Sequence, residues 1–168
     1  MKLVLAGGSS HTDEYAQGLR NHASERILFL DYVSGRELEE LLVNAALFVL
    51  PSDLEGLSLA LLDAMGAGVC ALTSDIPENK ELVDGAGFTF CRADVDDLAR
   101  MLQLLLDDPA TRAATGLRGQ QRIREQYLWS DITPRIEQVY FSVLGINRER
   151  KEAMGEESPL QKQDFRVA

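Results

Sequence analysis

Two acidic side chains, Glu55 and Asp63, stand eight positions apart in the run VLPSDLEGLSLALLDAMGAG at residues 49–68. The pattern predicts a strand stopped by Pro51, a loop over 52–58 and a helix over 57–67 that carries Asp63. Gly56 lacks a Cβ, so the backbone there can pass close to a ligand. At the expected helix start the amides of Leu57, Ser58 and Leu59 have no intrahelical acceptors. Those donors, with the helix dipole, suit a phosphate or a sugar hydroxyl. Glu55 falls just outside the helix, where its carboxylate can accept hydrogen bonds from vicinal hydroxyls. Asp63 comes two turns later, on the order of 10 Å from Gly56 at about 1.5 Å per residue. That separation fits a phosphorylated ligand with a sugar at one end and a ribose at the other. Each acid also has a plainer reading. Glu55 could be an acid at a helix N-terminus, worth about a few tenths of a kcal/mol, and Asp63 a solvated helix residue. Against the latter, Asp63 sits among Leu59, Leu61, Leu62, Ala64 and Met65, where a carboxylate is costly to bury without a partner.

The elements that would position these acids alternate along the chain. Apolar runs at 2–6 (KLVLA), 26–30 (RILFL), 46–50 (ALFVL) and 69–73 (VCALT), with a short one at 88–90, read as strands. Helical patterns lie between them: one from Asp13 to about Asn21 capped by Thr12, one after Ser34 with Glu37 completing a capping box, and the acid-bearing helix. Three helices follow, over 95–106, 110–127 and 131–144. Continuous apolar strands separated by helices imply a doubly wound, Rossmann-like α/β domain with a parallel sheet covered on both faces. Such sheets bind ligands beyond the carboxyl ends of their strands, where the loops at 7–12, 31–35, 52–58 and 74–79 would converge. This reading gives one domain over 1–145 and a polar, peripheral or flexible tail over 146–168, with a helical turn around 148–154.

Composition narrows the partners. With 27 acids against 17 bases the net charge is −10, so nucleic acid and anionic membrane surfaces are disfavoured. No apolar run nears the roughly 18 residues of a membrane span, and Met1-Lys2 leads straight into a strand without a cleavable-signal pattern. A cytoplasmic location is the expectation. Cys70 and Cys91 lack metal-ligand or CxxC spacing and read as reduced thiols in or near the core. His11 and His22 read as loop and helix-end residues, His11 at the cleft edge. Gly7-Gly8-Ser9 lacks the GxGxxG spacing of a dinucleotide site.

The run PSDLEGLSLALLDAMGAG resembles the donor-site signature of retaining glycosyltransferases of the GT-B type, the group known as family 4 or glycosyl transferases group 1. LVLAGG, FLDYVS, ALFVLPS, SDIPEN, GAGFTF, DVDDLA and the late Tyr127-x-Trp129-Ser130 follow in the order that the family shows, over residues 2–144. The resemblance implies half of a GT-B architecture and binding of a nucleotide-diphosphate sugar as substrate, with no cofactor. In this likeness Glu55 contacts the donor sugar and supports positive charge at the anomeric carbon. Gly56, Leu57 and Ser58 supply amides to the sugar and diphosphate, and Asp63 holds the ribose. Tyr32 and Val33 border the base, Gly7 and Gly8 face the interdomain cleft, and Leu59 packs near the nucleotide. No Asp-x-Asp metal motif marks the cleft, since Asp94, Asp96 and Asp97 read as a helix N-terminus, so the expected transferase is metal-independent.

Three departures from the family pattern qualify this. Asp63 is one methylene shorter than the usual Glu, and Asp31 stands where Gly is common. The chain also starts at what resembles the second strand of the C-terminal Rossmann domain. The first strand, its diphosphate-binding Arg and Lys, and the N-terminal acceptor-binding domain are thus expected from elsewhere; Arg20, Arg26 and Arg36 are the bases at hand. The isolated chain should then bind donor weakly and transfer no sugar. The alternative is a standalone or remnant α/β module acting through protein association, its sheet edge or cleft wall covered by a partner or a second copy.

Overall fold

A computed structural model of the protein describes residues 1–8 and 13–145. The expected Thr12 cap, His11 and the tail beyond 145 lie outside them. The chain forms two compact units, Met1–Asn44 and Ala45–Ala168.

The first unit holds strand β1 (Leu3–Ala6), helix α1 (Asp13–Arg20), strand β2 (Ile27–Leu30) and helix α2 (Gly35–Val43). β1 and β2 pair in parallel from Leu3 opposite Ile27 to Ala6 opposite Leu30. None of this unit's described side chains is fully buried, and Leu3 and Val4 on β1 remain 54% and 39% exposed. Apolar strand residues with so little cover leave this unit without a closed core. Ser34 is the N-cap of α2 as expected, yet its side chain makes no capping hydrogen bond. The chain enters that helix through Gly35 at φ 59°, a left-handed geometry that does not bring the hydroxyl over the third helical amide.

The second unit holds strand β3 (Phe48–Leu50), helix α3 (Leu59–Gly66), strand β4 (Ala71–Ser74), helix α4 (Pro77–Val83), strand β5 (Phe88–Phe90) and helices α5 (Val95–Asp107), α6 (Pro109–Gln126) and α7 (Trp129–Leu144). Its sheet runs β3-β4-β5, all parallel, with Leu50 opposite Thr73 and Thr73 opposite Thr89. All four residues of β4 are buried, as the central strand of a sheet covered on both faces must be. Alternation divides the apolar ones. Ala71 joins Leu61 and Met65 of α3, Leu82 and Val83 of α4 and Ile123 of α6, whereas Leu72 joins Phe90, Met101 and Leu105 on the α5 side. The strands thus form a two-stranded and a three-stranded parallel sheet.

Two local expectations change. The expected loop at 74–79 gives way at Pro77 to helix α4, Pro77–Val83, with Pro77 in its first turn, where the missing N–H costs nothing. Cys70 is buried, but Cys91 is exposed, because the chain leaves the sheet after Phe90.

Candidate functional site

Helix α3 begins two residues later than the sequence pattern suggests. Ser58, buried, is its N-cap, and the Ser58 hydroxyl accepts from the Leu61 amide at 3.4 Å. A serine that can cap outcompetes a helical position for itself, so Gly56 and Leu57 stay in the loop. The helix-end amides lacking intrahelical acceptors are therefore those of Leu59 and Ala60, while Leu61 is satisfied by the cap. The amides of Leu57 and Ser58 precede the helix. Leu57 and Leu59 are 57% and 59% exposed, so apolar side chains flank this end of α3 rather than fill a core.

Glu55 stands three residues before that cap, half-buried, and is held from its own loop. The Ser52 hydroxyl donates to Glu55 Oε1 at 2.6 Å, which leaves Oε2 without a partner among the described residues. The loop is in turn fixed to β4: the Ser74 hydroxyl donates to the Ser52 carbonyl oxygen. Asn79 of α4, fully buried, donates from Nδ2 to the Ser74 hydroxyl at 3.2 Å and to the Ser74 carbonyl at 3.4 Å. The rim of this loop carries charge. Arg92 approaches Asp53 at 4.0 Å and donates its amide to Asp75, which pairs with Lys80 at 3.2 Å. The Arg92 amide and Lys80 ammonium hold the Asp75 carboxyl below the usual carboxylate range.

Asp63 lies on the same helix and is treated differently. Its carboxylate is half-buried between Leu62 and Ala64 and has no hydrogen-bond or ion-pair partner among the described residues. Desolvation raises its pKa above the ordinary 3.8. An acid that burial disfavours and no protein group compensates is a candidate to meet a ligand's hydroxyl donors.

The remaining predicted residues belong to the first unit. Gly7 and Gly8 line a depression with Tyr15, Arg20 and Phe29, and Tyr32 and Val33 line another with Glu37, Leu41 and Asn44. Tyr32 is 82% exposed. Asp31, the unusual acid beside them, is paired with Arg20 at 2.6 Å, so its charge is already compensated. Arg20 also lies 5.8 Å from the Phe29 ring centre, and Arg36 pairs with Glu40 at 2.8 Å. Two of the three nearby bases are thereby occupied. Among the acids 94–97, Asp94 caps α5 by accepting from the Asp97 amide, and Asp97 accepts from the Cys91 amide and pairs with Arg100. They serve the helix end, as expected.

Residues 1–108 match the family model described as Glycosyl transferases group 1. The chain belongs to that family. Its relatives include the alpha-maltose-1-phosphate synthase of Mycobacterium tuberculosis, 30% identical over 158 residues, covering 85% of this chain and 41% of the relative. The O-antigen chain mannosyltransferase B of Escherichia coli is 34% identical over 134 residues, covering 78% of this chain and 35% of that protein. A GDP-mannose-dependent mannosyltransferase of Corynebacterium glutamicum, acting on a monoacylated phosphatidylinositol monomannoside, is 28% identical, covering 79% and 37%. The chain thus spans about two fifths of the length of the curated relatives it matches. The fold is that of GT-B glycosyltransferases. Sucrose-phosphate synthase from Thermosynechococcus elongatus superimposes with a TM-score of 0.78 at 24% identity, over 87% of this chain and 39% of that one. HepE from Anabaena, solved with UDP and glucose, gives 0.77 at 18% identity, over 84% and 40%. No described helix is long and apolar enough to cross a membrane.

Glu55 and Asp63 stand out in the sequence by residue type and spacing, whereas Ser52, Ser74 and Asn79, which hold the Glu55 loop, do not. The Ser52-x-x-Glu55 spacing was a usable local signal. The Ser74 to Ser52 bond joins residues 22 apart across two strands and has no local signature.

Proposed function

We propose that this chain is the donor-binding domain of a retaining glycosyltransferase that uses a nucleoside-diphosphate sugar. The observation that carries the reading is the combination on one loop and helix: Glu55 with one carboxylate oxygen open, the amides of Leu59 and Ala60, and the unpartnered, half-buried Asp63. Glu55 accepts hydrogen bonds from the sugar and stabilises positive charge as the anomeric C–O bond breaks. The departing diphosphate takes the electron pair, and the amides at the start of α3 favour its charge. Asp63 accepts from the ribose hydroxyls. The acceptor replaces the diphosphate with retention. Names and complexes of the relatives support a nucleotide-sugar donor: one is GDP-mannose-dependent, and HepE is solved with UDP-glucose.

Strand pairing supports the further reading that another segment supplies the first strand. In the doubly wound order 3-2-1-4-5-6, strands two and four neighbour the first strand and not each other. Counted from two, the strands of this chain should pair as β1 with β2 and as β3-β4-β5, which matches the observed sheets. We assign the acceptor site and the diphosphate-binding bases to the same outside segment, so the chain alone binds donor without transferring sugar. Exposed apolar residues on β1 (Leu3, Val4) and α7 (Val139, Tyr140, Val143) fit surfaces that such a segment covers.

Calorimetric titration of UDP-glucose, GDP-mannose and ADP-glucose into the chain tests the donor reading. At least one should bind, and Glu55→Ala and Asp63→Ala should each weaken it about tenfold, the loss of one hydrogen bond to a charged group. No binding by the unaltered chain, or binding indifferent to both substitutions, refutes it.

A further inference from the structure

We propose that Asn79 is a positioning residue for the donor sugar, acting through Ser74 and Ser52 on Glu55; the inference rests on the donor-site reading above. The direction of each bond is set by chemistry. The Ser74 carbonyl can only accept, so the Asn79 amide nitrogen must face it, and the same nitrogen donates to the Ser74 hydroxyl. With its oxygen engaged as an acceptor, that hydroxyl spends its single proton on the Ser52 carbonyl. The Ser52 backbone is thereby pinned beside β4, and its hydroxyl holds Glu55 Oε1, so Oε2 alone turns to the ligand. Asn79 and Ser74 are 0% and 1% exposed, so water does not substitute for either bond.

A purely structural role accounts poorly for an amide at this position. Asn79 Oδ1 is buried without a hydrogen-bond partner among the described residues, a penalty that an aliphatic side chain of similar size avoids. Set against that penalty are the two bonds its nitrogen makes to Ser74. Its nitrogen reaches both the carbonyl and the hydroxyl of Ser74, and the hydroxyl alone leads on to the loop that carries Glu55.

The test separates sugar from nucleotide. Affinities of the full chain for UDP and UDP-glucose, and for GDP and GDP-mannose, give for each pair the increment due to the sugar. Asn79→Leu and, independently, Ser74→Ala should reduce that increment about fivefold to tenfold, as expected for misplacing one charge-assisted bond, and leave the affinity for the bare diphosphate within about twofold. Ser52→Thr, which keeps the hydroxyl, should preserve the increment, and Ser52→Ala should lose it. In a Glu55→Ala background Asn79→Leu should have no further effect, because its route to the sugar is gone. Equal loss for diphosphate and sugar nucleotide, or additive losses in the double variant, overturns the inference while leaving the donor site standing. If the unaltered chain binds none of the four compounds, the donor-site reading itself falls and the inference with it.

Discussion

Two glycines one turn apart on α6 should respond to the same substitution with opposite signs. A Cβ built on Gly116 would lie 2.0 Å from the Gly68 carbonyl oxygen and 2.9 Å from its carbon, whereas one on Gly119 would meet Ala86 O and the Met65 side chain at 3.4–3.6 Å. The second is ordinary contact. The first requires the helix and the chain after α3 to separate by about 1.0 Å, because a Cβ does not come within 3.0 Å of a non-bonded oxygen or carbon. The obstacle is backbone, and Gly68 is held at φ 79° with its neighbour Gly66 bonded to Gln120, so neither side has a rotamer to release. Overpacking of this kind costs about 1–3 kcal/mol, here toward the upper end. Replacing a helical glycine by alanine returns about 1 kcal/mol at either position. Gly116→Ala should therefore destabilise the second unit by about 2 kcal/mol, and Gly119→Ala should stabilise it by about 0.5–1 kcal/mol. With urea slopes of about 1–3 kcal/mol per molar, the two midpoints should differ by at least ~1 M. Circular dichroism at 222 nm together with Trp129 fluorescence follows the transition. A Gly116→Ala variant that unfolds at or above the urea concentration of Gly119→Ala would refute the close approach of α6 to Gly68.

Asp63 and the two cysteines give further tests. Because burial raises the folded pKa of Asp63 above 3.8, the native state binds more protons than the unfolded state just above that value, so this group lowers stability as pH rises through the window. Asp63→Asn should raise the melting temperature of the ligand-free chain at pH 7 and flatten its decline between pH 4 and 7, yet weaken donor binding roughly tenfold or more; a lower melting temperature at pH 7 contradicts the desolvation argument. Cys70 is buried with its pKa pushed up to about 11, and the neighbouring Asp97 carboxylate raises that of exposed Cys91. Iodoacetamide at pH 8 should then label only Cys91 in the native chain, more slowly than a free thiol, and Asp97→Asn should accelerate it; mass spectrometry showing rapid double labelling refutes the assignment.

What was legible in the sequence was local. The span of β5 and the three late helices follow from apolar periodicity, and the start of α5 from Asp94, whose side chain accepts from the Asp97 amide; the Asp108 cap of α6, accepting from the Thr111 amide, is a finding of the structure. Helix α4 was readable from Pro77, but a short helix after a strand is easily absorbed into its loop. The start of α3 shifted because Ser58 can act either as a helical residue or as a cap, and only the buried setting of its side chain selects the cap. Strand pairing was beyond reach from periodicity, which identifies an apolar strand without naming its neighbour. Likewise Glu55 and Asp63 stood out by type and spacing, whereas the link from Asn79 to Glu55 depends on which loop β4 lies beside.

The anchoring of α3 is uneven in a way that suits a binding helix. Its far end is fixed three times: Gln120 donates to the Gly66 carbonyl at 3.1 Å, Gly116 packs directly on Gly68, and Met65 is wholly buried in one cluster with Ile123 of α6. At the near end the Ser58 cap and the buried Leu61 side chain hold the first turn, while Leu57 and Leu59 stay exposed beside the available amides. A helix clamped along its buried face can leave its N-terminal donors unsatisfied without fraying, because packing offsets the cost of those orphan amides. The same clamp holds Asp63 half-buried without a counter-ion, a position a more loosely seated helix would relieve by tilting the carboxylate into water. Both the amides and the acid are thus set before any ligand arrives. Loosening α6, as Gly116→Ala should, must weaken donor binding through Asp63 even where the chain stays folded.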